Sequence, residues 1–168
     1  MERKVLTSLV IIGIIIAGIL IFSNYPQKEN VQSASYPAVH TIVTPTNLNW
    51  VNVPSLPPGA KFALIEGNLS NAVPFTARIR FPPNYNIPAH RHPAIEHVTV
   101  LSGEFNMGLG DRLDKNRGDS LPVGSFVVIP PNTNHFAWTT EEETIIQIHG
   151  VGPWGITYAD SADDPRNK

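Results

Sequence analysis

The sequence contains no cysteine. That excludes a disulfide framework, thiolate metal ligands, a cysteine nucleophile and a cysteine-linked lipid anchor. Charge is also sparse: 15% of residues are charged and the formal net charge is −2, which gives no electrostatic reason to expect a nucleic-acid partner. There is no phosphate-binding glycine loop, no Gly-x-Ser-x-Gly elbow and no His-Glu-x-x-His pair. No repeat of solenoid length is present, and no convincing helix follows Phe22. What the chain has in quantity is punctuation, with 16 prolines and 12 glycines in 168 residues. That composition suits many turns between short segments, and the length suits one domain with appendages.

The appendages lie at the ends. Residues 1–4 carry Arg3 and Lys4, and residues 5–22 then contain no charge and only two hydroxyl side chains, Thr7 and Ser8. Eighteen residues of helix span about 27 Å, close to a bilayer core. Two readings stand: an uncleaved membrane anchor, or a signal peptide with Ser33-Ala-Ser35 as a distant cleavage site. Either predicts an extracytoplasmic domain, periplasmic or extracellular, with Arg3 and Lys4 left inside. Residues 23–43 are polar and mixed, as in a tether, and His40 sits there alone. Residues 44–160 form the folded domain, and 161–168 a polar tail.

Within the domain, Lys61–Glu66 is a predicted strand. Phe75, Ala77, Ile79 and Phe81 alternate with Thr76, Arg78 and Arg80, the pattern of a half-buried strand. Glu96–Met107 reads as a strand pair or one long bent strand with Gly103 as a bulge or turn, Gly108–Pro122 as a polar connection, and Ser125–Ile129 as a short buried run. Phe136–Trp138 is another such run, and Thr144–His149 a further strand. Many short strands at close spacing predict an all-β fold, a small antiparallel β-barrel or sandwich, preceded by the N-terminal apolar helix.

Four residues carry the chemistry. His90 and His92 are two apart, so in an extended strand they share a face, and Glu96 keeps the same parity while His97 does not. His135 follows an apolar run and Pro130-Pro131-Asn132. A His-x-His pair alone is an ordinary surface feature. With Glu96 and His135 it becomes a ligand set of imidazole nitrogens and one carboxylate, suited to a single divalent transition metal: iron, manganese, nickel, copper or zinc. Asn84 and Asn132 precede the two ligand segments, and asparagine enters the left-handed backbone region readily. Both are therefore candidate tight turns that aim the histidines inward.

These two segments, Asn84 to Gly103 and Gly124 to His135, resemble the paired motifs of the cupin superfamily, Gly-x5-His-x-His-x3,4-Glu-x6-Gly and Gly-x5-Pro-x-Gly-x2-His-x3-Asn. Asn84 and Asn132 stand where the motifs have glycine, and Thr139 where they have the final asparagine. All four ligand positions are present. The resemblance implies a double-stranded β-helix (jelly roll) of the RmlC-like kind over 44–160, with the metal in its mouth. The whole chain also resembles exported single-domain cupins with the segments Gly152-Pro-Trp-Gly-Ile-Thr-Tyr158 and Asp163-Asp-Pro-Arg166.

Fold alone does not give function. Gln147 and His149 share a face of the last predicted strand and are the candidates for orienting a substrate or for acid–base chemistry. Phe105, Met107, Phe126, Phe136 and Trp138 read as core, and Trp154 and Tyr158 as cover for a barrel edge. The expected partner is a small-molecule ligand or substrate. The membrane is a further partner if the apolar segment is retained, and a second copy of the chain is a candidate for a homodimer. The sequence leaves two functions open, a metal-dependent, dioxygenase-like oxidoreductase and a non-catalytic binding or sensing module.

Overall fold

The computed structural model describes residues 40–168. The apolar segment 5–22 and most of the tether lie outside the described residues. Among the described residues no helix is long and apolar enough to cross a membrane.

Eleven strands follow in chain order: β1 Val51–Asn52, β2 Lys61–Glu66, β3 Pro74–Phe81, β4 Asn86–Arg91, β5 Glu96–Ser102, β6 Phe105–Leu109, β7 Gly118–Leu121, β8 Phe126–Ile129, β9 His135–Thr139, β10 Thr144–Val151 and β11 Thr157–Tyr158. They form two sheets, one in the order β1-β2-β3-β10-β5-β8 and one in the order β11-β4-β9-β6-β7. Every pairing is antiparallel. The all-β expectation therefore holds.

Alternation sets which face of each strand is apolar. In β3, Phe75, Ala77 and Phe81 are buried. In β10, Ile146 and Ile148 are buried and pair across to Val100 and Val98 of β5. The second sheet answers with Ile87, Phe105 and Ala137, and all of these belong to one core between the sheets. The outer face of the second sheet buries a smaller cluster of Ala89, Phe136 and Trp138, with Leu113 from the β6–β7 connection packed on it.

Two expectations need correction. The stretch Gly108–Pro122 is not all connection, because β6 runs on to Leu109 and β7 adds an edge strand. Gly108 and Gly118 face each other in that ladder, and a Cβ on either would collide with Phe136 or Trp138. Glycine there signals close packing of two rings, not a loop. Nor is Ser125–Ile129 uniformly buried. As the edge of the first sheet, β8 leaves Phe126 55% and Val128 46% exposed and buries only Ile129. Phe126 is accordingly not core. The polar segment 161–168 carries local structure of its own. Asp160 and Asp164 accept backbone N–H bonds that start two single-turn 3-10 helices, Ser161–Asp163 and Pro165–Asn167. Arg166 is held by Asp164 and donates to the Ile156 carbonyl.

Candidate metal centre

Two turns deliver the ligand segments. After Pro82-Pro83, Asn84 adopts φ 56°, and after Pro130-Pro131, Asn132 adopts φ 60°. Both are left-handed, as their residue type foreshadows. The Asn132 N–H donates to the His92 carbonyl at 2.8 Å, which ties one ligand segment to the other. Thr139 takes over a bracing role at the far end of β9. Its hydroxyl donates to the Pro82 carbonyl at 2.8 Å and accepts from the Tyr85 N–H at 2.9 Å.

These turns bring His90 on β4 opposite His135 on β9 as direct cross-strand partners. His92 lies one residue past β4, and Glu96 opens β5 on the other sheet. All four are buried, between 3% and 8% exposed. The His90 and His135 rings lie 4.2 Å apart between centroids, and His90 and His92 5.1 Å. One ring nitrogen from each of the three histidines falls within 4.8 Å of the other two.

The other nitrogen of each ring is occupied. Nδ1 of His90 donates to the Pro88 carbonyl at 2.7 Å, Nδ1 of His92 to the Gly155 carbonyl at 2.7 Å, and Nδ1 of His135 to the Thr133 carbonyl at 3.0 Å. A carbonyl can only accept, so each Nδ1 carries the proton and each Nε2 presents a lone pair. The Nε2 atoms of His92 and His135 each lie 3.5 Å from Oε2 of Glu96. Those distances would suit ion pairs, but the imidazoles are neutral. Burial holds His90 well below the ordinary imidazole value, with His135 and His92 adding to the effect. Burial brings His92 down to about 3 and lowers His135 too. Burial also pushes the Glu96 carboxyl up to about 8. Three neutral imidazoles and one carboxyl group, all buried and close together, make a donor set that fits one divalent ion, to which Glu96 would bind as the carboxylate.

Trp154 stacks on His92, with centroids 4.2 Å apart and planes inclined by 14°, and its backbone N–H donates to the Leu69 carbonyl at 2.7 Å. Together with Gly155, whose carbonyl holds His92, it forms a strap across the site. Tyr158 on β11 pairs with β4 at His90, and its hydroxyl donates to the Ser55 carbonyl. Reading Trp154 and Tyr158 as edge cover located the strap but missed its contact with His92. The only sequence signal was two aromatics in a Gly-Pro-Trp-Gly setting, and the contact is long-range.

The four residues line one end of a cavity of about 320 Å³ between the sheets. Its walls include Val53, Leu56, Phe62, Ile79, Phe105 and Ile148. Phe105 and Met107 are thus both core and cavity wall. Gln147 and His149 do not line it, which corrects their candidacy. On β10 the inward positions are Ile146 and Ile148, so the alternate residues face outward. Gln147 accepts from Arg78 Nε there, and His149 stacks on His97. Arg80 lies over the Trp50 ring on the same outer side. His40 is exposed.

A buried histidine group at the mouth of an antiparallel double-sheet barrel defines the cupin arrangement. The family model described as the ChrR cupin-like domain matches residues 38–154, and the chain belongs to that family. No curated protein sequence matches it. Among solved structures, it is similar to the polyketide cyclase RemF from Streptomyces resistomycificus, with 17% identity, 77% of this chain and 92% of that chain covered, and a TM-score of 0.62. It is also similar to KdgF from a Halomonas species (17% identity, 68% and 96% covered, TM-score 0.54). An RmlC-like cupin from Shewanella frigidimarina is a third relative (17% identity, 67% and 91% covered, TM-score 0.53). At such identities the likeness carries the fold alone.

Proposed function

We propose that His90, His92, Glu96 and His135 hold one divalent transition metal, and that the cavity beside it presents a small organic molecule to that metal as the substrate of an oxidoreductase of the dioxygenase-like kind. The observation that carries this reading is the set of three Nδ1–carbonyl bonds, which turn three neutral Nε2 atoms toward one buried point next to Glu96. A metal there would supply Lewis acidity and, if redox-active, electron chemistry. The chain's own part is to orient the imidazoles, exclude water with apolar walls and leave room for one small molecule.

Among the described residues, no titratable side chain other than these four lines the cavity. With Gln147 and His149 on the outer face, no separate acid–base pair is available. That argues against hydrolysis or isomerisation by protein side chains. The same observation favours a second reading, a module that captures a ligand without turnover. Oxygen uptake by the iron-loaded domain across a panel of small phenols and diketones separates the two. Consumption that vanishes in Glu96→Ala supports the enzyme, and tight binding without consumption supports the module.

We further propose that residues 5–22 carry the domain out of the cytoplasm as a signal peptide or anchor, on the strength of their uncharged length behind Arg3 and Lys4. A reporter fused after Lys168 should be active only outside the cytoplasm, and cytoplasmic activity would refute export.

A further inference from the structure

The walls of the cavity divide sharply by chemistry. At one end stand the three histidines and Glu96. Elsewhere the lining is apolar or aromatic apart from Asn52, Ser55 and Gly155, and among the described residues it contains no lysine, no arginine and no second acid. Arg78, Arg80, Arg91 and Lys61 neighbour wall residues in sequence but do not line the cavity: Arg78 donates to Gln147, Arg80 lies over the Trp50 ring, Arg91 donates to Asn134, and Lys61 donates to the exposed side chain of Asn52. Among the lining residues, charge is therefore confined to that one cluster.

Two physical consequences follow. A second ionised group on the ligand would be buried against hydrocarbon without a partner, which proteins do not tolerate cheaply. A polyhydroxylated ligand would fare little better, since each hydroxyl taken from water needs a hydrogen-bond partner and, away from the histidine end, the walls offer few: the side chains of Asn52 and Ser55 and the Gly155 backbone. At the polar end the balance is different. A divalent ion with one carboxylate retains a single positive charge, so one deprotonated oxygen brings the buried centre to neutrality. Size gives a third constraint. An apolar cavity of about 150 Å³ accepts benzene, and this one, at about 320 Å³, has roughly twice that space.

We infer that the ligand is a monofunctional hydrocarbon compound of about two fused rings, or an equivalent acyl body, with one weakly acidic hydroxyl or one carboxylate directed to the histidine end. Diacids, zwitterions and sugars are excluded. This rests on the proposed metal site for the identity of the polar end, whereas the apolar body is set by the walls alone.

The test uses the full chain, loaded with zinc, and calorimetric titration of matched probes. 2-Naphthol and 2-naphthoate should bind, and 2,6-naphthalenedicarboxylate, which has the same body with a second charge, should bind at least about thirtyfold more weakly. Gluconate should not bind measurably. Trp154 lines the cavity, so the bound naphthyl probe should quench tryptophan fluorescence, and most of that quenching should disappear in Trp154→Phe. Dicarboxylate or gluconate binding as tightly as 2-naphthoate overturns the inference, as does quenching that persists in Trp154→Phe. So does a zinc-loaded chain that binds none of the probes. Zinc content, measured separately, keeps the two readings apart. A chain that holds no zinc but still prefers 2-naphthol to the dicarboxylate refutes the metal site and sustains the ligand class.

Discussion

The domain contains two groups of histidines with opposite fates. His97 and His149 meet on the outer face of the first sheet as a parallel stack, 4.5 Å between centroids and 3° between planes, with Phe126 alongside. His90, His92 and His135 meet between the sheets. The outer pair is half-exposed, and its rings present faces to each other. The inner rings are turned edge-on toward a common point. The residue type is the same, so the difference comes from backbone. Strand parity chooses the side, and a carbonyl placed two residues upstream of His90 and of His135 fixes which nitrogen looks inward.

Exchanging members of the two groups should break the comparison most visibly. His90→Ala combined with His135→Ala should reduce bound metal to about a tenth of an ion per chain or less. His97→Ala combined with His149→Ala should leave it at the wild-type level, with elemental analysis as the measure. Equal metal in both variants would abolish the distinction. Next in size, Trp154→Ala removes the ring stacked on His92 and part of the cavity wall. It should weaken metal binding about tenfold and cost about 2–3 kcal/mol of stability.

The acid of the inner group gives a third effect, read from pH. In metal-free protein the folded-state value of Glu96 is raised to about 8 from an ordinary 4.5. Its contribution to stability is therefore fully present below 4.5 and is lost as pH rises through 8. The depressed histidines act in the other direction. Their contribution is present above the ordinary 6.5 and is lost as pH falls toward their lower folded values, about 3 for His92. Between pH 7 and 8 only Glu96 contributes from this group. The melting midpoint of chelator-stripped protein should then fall by about 3–6 °C per unit. In Glu96→Gln it should stay flat, and an unchanged slope in that variant would place the proton elsewhere. A smaller effect is expected at the turn before His135. Asn132→Ala should cost about 1 kcal/mol by denaturant melt, while Asn132→Gly should be near neutral. Smallest of all, the outer double variant should change stability by no more than about 0.5 kcal/mol.

Much of this was legible in the sequence where one rule acts alone. The alternation from Phe75 to Phe81 located β3, and the parity of His90, His92 and Glu96 against His97 separated inward from outward placement. Asn84 and Asn132 announced their left-handed turns. Legibility failed where two rules competed. Gly118–Leu121 has too little apolar content to read as a strand, and its pairing depends on two rings from β9. Phe126–Ile129 is apolar, yet β8 is an edge, and an edge position cannot be read from local pattern. The outward placement of Gln147 and His149 needed knowledge that the cavity is apolar, since polarity on one face of β10 is equally consistent with a polar pocket and with solvent. The Trp154–His92 contact joins residues far apart in sequence and has no local signature.

The anchoring of the three imidazoles is uneven along the chain. His90 and His135 are each held by a carbonyl two residues away, whereas His92 depends on a carbonyl 63 residues downstream. Two ligands are thus secured by their own turns and would stay oriented through fluctuations of the rest. The third is secured only while the strap at Trp154–Gly155 is closed. An ion held here need not wait for global unfolding to leave, because opening of that short strap frees one ligand of the set. The rate of ion release would then report on a local opening event, and could change by orders of magnitude without any change in the melting temperature of the barrel.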